Sequence, residues 1–132
     1  MGSRVAAIVL TACVLLAAAA VALRGGPIES GAGAMREVVL VAREMTFYLA
    51  GEETDPNPTL RFRPGERVRL VLRNEEAGVK HNFSVPAWKI ETRELNGRGA
   101  AEIDFVVPPA RGSQRYECAP HALMMRGTIE VR

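Results

Sequence analysis

Beyond residue 36, apolar and polar side chains take turns along the chain in short runs, each closed by turn-forming residues. An extended strand points successive side chains to opposite faces, so a period of two is what a strand with one buried and one wet face requires. The clearest case is Arg67 to Arg73, where Val68, Leu70 and Leu72 share one face and Arg67, Arg69 and Arg73 the other. Ala101, Ile103, Phe105 and Val107 repeat the pattern. Further strands are expected at Glu37 to Ala42, Met45 to Leu49, Thr59 to Arg63, His81 to Val85, Lys89 to Arg93, Gln114 to Glu117 and Gly127 to Arg132. Turns fall at Pro64-Gly65, Asn96-Gly97 and Pro108-Pro109, where proline presets one dihedral and glycine frees another. No run of helical period is long enough for a core helix. The pattern predicts an all-β domain over 37–132, built as two packed antiparallel sheets, a β-sandwich.

The first residues follow a different rule. Arg4 precedes an uncharged run from Val5 to Leu23 that Arg24 closes, close to the ~20 apolar residues a helix needs to cross a bilayer. Ala20-Val21-Ala22 also supplies the small residues of a signal-peptidase site, so 1–24 reads either as a cleaved signal peptide or as a retained membrane anchor. Leu10-Thr11-Ala12-Cys13 resembles a lipoprotein box, but the apolar stretch before that cysteine is short and uncharged residues continue after it. All of these outcomes place the domain outside the cytoplasm, in or facing a bacterial periplasm. Residues 25–36, rich in Gly and Ala, read as a flexible linker.

Charge narrows the function further. The chain has 17 Lys plus Arg against 15 Asp plus Glu, and without Arg4 and Arg24 the remainder is formally neutral. Its arginines and glutamates are interspersed. A nucleic-acid binder needs a basic surface to neutralise phosphates, so that class loses its electrostatic basis.

The chemistry gathers near the C-terminus. Cys118-Ala119-Pro120-His121-Ala122-Leu123-Met124-Met125 puts a thiol, an imidazole and a thioether on one short segment, and the second of the chain's 2 histidines, His81, lies upstream. Two imidazoles and a thiolate with a weak thioether form the donor set of a mononuclear electron-transfer copper centre, since soft sulfur favours Cu(I) and imidazole accommodates Cu(II). Singly, a histidine in a strand, a methionine beside a core strand and a lone cysteine are ordinary packing residues. Together they are not. Cys118 has no other cysteine in 37–132 to pair with, and a free thiol outside the cytoplasm is open to oxidation. Strand parity bears on the thioether: Met125, Gly127, Ile129 and Val131 alternate with Arg126, Thr128 and Glu130, which puts Met125 on the inward register and Met124 on the outward one.

Four segments in order carry a family resemblance: Pro64-Gly65-Glu66 leading into Val68-Arg69-Leu70, then Gly78-Val79-Lys80-His81-Asn82-Phe83, then Tyr116-Glu117-Cys118-Ala119-Pro120-His121, and last Met125-Arg126-Gly127-Thr128-Ile129-Glu130-Val131. Over nearly all of 37–132 the chain resembles the cupredoxins, the small blue-copper proteins that include plastocyanin, amicyanin and pseudoazurin. The resemblance implies a Greek-key β-sandwich and one type 1 copper ion held by His81, Cys118, His121 and Met125. The Met-x-Gly match selects Met125, whereas the two-residue spacing of amicyanin-like loops would select Met124. It also implies that Asn82 ties the His81 strand to the cysteine loop. Pro120, with no N–H, cannot donate a hydrogen bond towards the sulfur.

With both histidines committed, no ligands remain for a catalytic copper centre, and a dinuclear centre would need a second loop cysteine. The expected role is therefore not enzymatic. It is outer-sphere transfer of single electrons through the edge of His121 to a redox partner such as a cytochrome, oxidase or reductase, by a monomeric domain. The alternative is a copper-trafficking or copper-buffering module, which would hand over its ion and tolerate loss of Cys118. The acidic loop 51–58 is expected to be a solvated turn.

Overall fold

A computed structural model describes residues 33–132. The expected signal or anchor helix over 1–24 and most of the linker lie outside the described residues. Eleven strands follow in order: β1 Arg36–Arg43, β2 Thr46–Leu49, β3 Leu60–Phe62, β4 Arg67–Asn74, β5 Lys80–His81, β6 Ser84–Val85, β7 Ile90–Glu91, β8 Leu95–Asn96, β9 Gly99–Val106, β10 Gly112–Glu117 and β11 Arg126–Val131. One sheet has the order β2-β1-β4-β9, a second β3-β11-β10-β6-β7, and β5 and β8 form a small pair.

The alternation read from the sequence decides which side chains meet between the sheets. Leu40, Val68, Leu70 and Leu72 from the first sheet, and Tyr116, Ile129 and Val131 from the second, join one buried cluster, while Arg67 and Arg73 stay exposed. Burying each such aliphatic or aromatic side chain stabilises the fold by about 1.5–3 kcal/mol before the entropy of ordering it is subtracted.

The expectation of purely antiparallel sheets fails at two pairings. β1 runs parallel to β4, with Arg36 opposite Val68 and Ala42 opposite Asn74, and β11 runs parallel to β3, with Ile129 opposite Leu60. Side-chain period reports which face is buried; it carries no information on which strand lies alongside or in which direction.

The expected strand over His81 to Val85 is broken. Phe83 N–H donates to Thr92 Oγ1 at 3.0 Å and Thr92 N–H donates to Phe83 O at 2.9 Å, so Phe83 bonds to the residue after β7 and β5 and β6 remain two short pieces. Lys89 to Arg93 likewise shrinks to β7, because Pro86–Trp88 forms a single 3-10 turn that Lys89 closes in the left-handed conformation with φ of 55°. β8 was not expected.

Chain direction sets the two ends of the sandwich. β1 and β4 run together from Arg36 and Arg67 towards Arg43 and Asn74, and the chain then leads into His81. β10 reaches the same end at Glu117, and Cys118 to Met125 connect it to β11. The opposite end holds the start of β1, the Pro64-Gly65 turn and the last residue, Arg132, whose N–H donates to Phe62 O.

Candidate metal centre

The three donors expected from the sequence converge. One ligand atom each from His81, Cys118 and His121 lies within 4.8 Å of the other two. Cys118 Sγ is 3.6 Å from His81 Nδ1 and 3.5 Å from His121 Nδ1, and the two imidazole rings stand edge to face with centroids 5.1 Å apart. His81 and Cys118 are fully buried, while His121 is half-buried and so is the imidazole of the pair that reaches solvent.

The loop is shaped by its own backbone. Cys118 N–H donates to Met125 O, and both Met124 and Met125 N–H donate to His121 O, each at 2.9 Å, so Met125 is folded back against Cys118 and His121. Ala119–His121 is one 3-10 turn with Pro120 inside it, where a missing N–H costs nothing. Met125 is fully buried, whereas Met124 is 57% exposed. This is the inward and outward order that strand parity gave, although β11 begins one residue later.

Asn82 makes the expected tie. Its Oδ1 accepts from Ala119 N–H at 2.8 Å, and its Nδ2 donates to Glu91 Oε1 at 2.6 Å, locking the stretch after His81 to the cysteine loop. Burial pushes the Cys118 thiol up from its usual range, while the backbone amides of Asn82 and His121 pull it back. The lowered His121 owes its shift first to desolvation and then to the neighbouring His81, both of which disfavour the imidazolium. A neutral ring keeps a lone pair for a metal ion, and a bound cation would displace the thiol proton.

Two neighbours of the site were not foreseen. Glu76 Oε2 lies 2.7 Å from His81 Nε2. A carboxylate only accepts, so Nε2 carries the proton and the Nδ1 lone pair is left facing the sulfur; such a partner also makes the ring a stronger donor. Nothing in the spacing of Glu76 and His81 announces this, because the chain turns through Gly78, at φ of 72°, between them. The second is Asn57, whose Oδ1 accepts from Phe47 N–H and whose Nδ2 donates to Met124 O at 3.3 Å. The loop expected to be merely a solvated turn is thus pinned to the metal loop at one point, while its acidic residues Glu52, Glu53 and Asp55 remain exposed. The Asn57-Pro58 pair was the available signal, since an asparagine before proline favours a turn that its own side chain can bridge.

No protein-family model and no curated protein sequence matches the chain. Solved structures do. Auracyanin A, a "blue" copper protein from the green thermophilic photosynthetic bacterium Chloroflexus aurantiacus, superposes with a TM-score of 0.61 at 20% identity, covering 75% of this chain and 100% of the other. Dithionite-reduced auracyanin from Roseiflexus castenholzii gives 0.59 at 17% identity, over 76% and 99%. The fold is that of the cupredoxins. Rusticyanin from Thiobacillus ferrooxidans shares the cupredoxin fold with a TM-score of 0.50 at 25% identity, over 76% of this chain and 79% of that one.

Two imidazole nitrogens and one thiol brought together from β5 and the Cys118 loop, with the buried Met125 held to that loop by its backbone, offer a donor set that fits one soft to borderline metal ion. Within the cupredoxin fold this cluster lies at the end of the sandwich where β4 and β10 finish and β11 begins.

Proposed function

We propose that the domain holds one copper ion through His81 Nδ1, Cys118 Sγ and His121 Nδ1, with the Met125 thioether as the weak fourth donor, and that it carries single electrons between redox proteins. The observation that carries this reading is the approach of the three donor atoms to within 4.8 Å of one another. When bound, the ion supplies a one-electron couple. The residues around it hold the donors in place for both oxidation states: Glu76 and Asn82 fix the His81 side, and the backbone bonds of Met125 fix the loop. Little reorganisation on gain or loss of an electron is what a carrier needs.

Met125 and Met124 separate by measurement. Met125→Leu should raise the reduction potential while keeping the colour, because Cu(I) is satisfied by three donors and the more electron-poor Cu(II) loses more when a fourth donor, however weak, is removed. Met124→Leu should leave the potential in place. Voltammetry that gives the reverse pattern would transfer the thioether donor role to Met124.

The electron route runs through His121. Around it Ala119 and Pro120 are exposed, Leu123 is 86% exposed and Met124 57%, an uncharged face suited to a small, short-lived contact with a cytochrome, oxidase or reductase. The apolar N-terminal run of the sequence supports a place outside the cytoplasm, in the periplasm or facing it. Leu123→Glu tests the route: electron exchange with a partner should slow by about ten-fold, since a charge brought to an apolar contact must be desolvated or left unpaired. The visible spectrum should not change. Equal stopped-flow rates for both proteins at every ionic strength would mean that electrons leave by another face.

A further inference from the structure

The end of the sandwich away from the metal cluster is rich in arginine. Arg36, Arg61, Arg63, Arg67 and Arg132 line one open cleft, with Glu66 as the carboxylate within it. All five are exposed. Arg36 pairs with Glu66, and Arg61 and Arg132 both pair with Glu130. Arg63 and Arg67 have no carboxylate within ion-pair distance among the described residues, and neither does Arg111, exposed at the same end just before β10. Apolar side chains accompany them. Met35 is 37% exposed and Val106, paired with Arg67 across β4 and β9, is 60% exposed; these and the metal-loop pair Leu123 and Met124 are the large exposed apolar residues of the described chain.

The chain also enters the domain here. Gly33 and Ala34 line the same cleft, and the uncharged run Val5 to Leu23 precedes them in sequence. A surface with surplus guanidinium groups, two protruding apolar side chains and a connection to an apolar segment matches a bilayer bearing phosphate headgroups: guanidinium binds phosphate in two-pronged fashion, and apolar side chains enter the headgroup boundary.

We propose that this arginine end docks on an anionic phospholipid bilayer and so points the metal end away from it. The inference rests on the reading that the N-terminal run brings the domain to the outer face of a membrane. β4 spans the distance between the two ends, and its 8 residues at ~3.3 Å each put the His81 side about 25 Å farther from the lipid than Arg67. Leu123 and Met124 are then presented to a partner arriving from the aqueous side, and the membrane occupies the end that electrons do not use.

The test uses the full chain, loaded with copper and reconstituted in vesicles of phosphatidylcholine alone or with one third phosphatidylglycerol, and follows amide hydrogen exchange by mass spectrometry. Anionic vesicles should slow exchange several-fold in 61–67 and 107–113 relative to neutral ones, with 118–126 unchanged. Combined Arg63→Glu, Arg67→Glu and Arg111→Glu should remove that protection, and so should high salt on the unaltered protein, which screens exposed charge. Equal protection on both vesicles, protection of 118–126 instead, or the same slowing by inorganic phosphate without lipid would overturn the proposal, the last by making the cleft a site for a small anion. Failure of the chain to float with neutral vesicles would count against the anchor; the arginine end must then retain the protein on anionic vesicles by itself, and no binding there overturns it too. The visible spectrum, recorded in parallel, reports the copper reading separately.

Discussion

Cys118→Ser should erase the visible charge-transfer band of the copper-loaded protein completely, because the transition originates on the thiolate and a hydroxyl is a hard, poorly ionised substitute. The thiol is fully buried between the two imidazoles, and among the described residues Cys118 is the one cysteine, so the sulfur that remains nearby is the Met125 thioether, which has no proton to lose and cannot replace a thiolate. Serine is close to cysteine in volume, and the fold should persist, with its denaturation midpoint changed little. Copper should bind more weakly, and the electron-exchange rate should fall below detection. Titration of the variant with Cu(II) in a spectrophotometer checks the expectation, and a retained blue band would show that the colour arises elsewhere. The outcome also separates an electron carrier from a trafficking module, since the latter would continue to pass copper without the thiolate.

Gly127→Ala should destabilise the domain by about 3 kcal/mol or more, among the largest costs of any single methyl group in the fold. A Cβ at 127 would overlap the phenol ring of Tyr116, its partner across β10 and β11. The ring has nowhere to go. Tyr116 is fully buried, lies 5.6 Å from the Phe47 ring and 5.5 Å from that of Phe83, and donates its hydroxyl to Pro58 O at 2.6 Å. That bond anchors the loop carrying Asn57, which in turn holds Met124 O, so displacement of the ring should also loosen the metal loop. Urea denaturation should give a clearly lower midpoint, and copper release should quicken. A midpoint equal to wild type would mean that β11 moves away from β10 without penalty.

The same pair shows how far the sequence reaches. Alternation placed Val68, Leu70 and Leu72 inward and arginines outward, and the parity of Met125 to Val131 put Met125 on the buried side, because side-chain direction in a strand is a local property of the backbone. The glycine at 127 belongs to that inward set, but the reason for a missing side chain there is the Tyr116 ring, and cross-strand register is not written in the period. The parallel pairings of β1 with β4 and β3 with β11 escaped for the same reason. Glu76 was hidden by a turn, since residues either side of Gly78 meet only once its positive φ folds the chain back. Cys118, His121 and Met125 were legible because one loop carries all three, and His81 because only 2 histidines exist to choose from.

Adding Cu(II) to the purified, metal-free protein while recording the visible spectrum reads out whether thiolate and imidazole hold a single copper ion. An intense blue band should grow to one equivalent per chain, stop there, and bleach reversibly on reduction. A pale solution with only weak absorption, or a band that keeps growing past one equivalent, would contradict it.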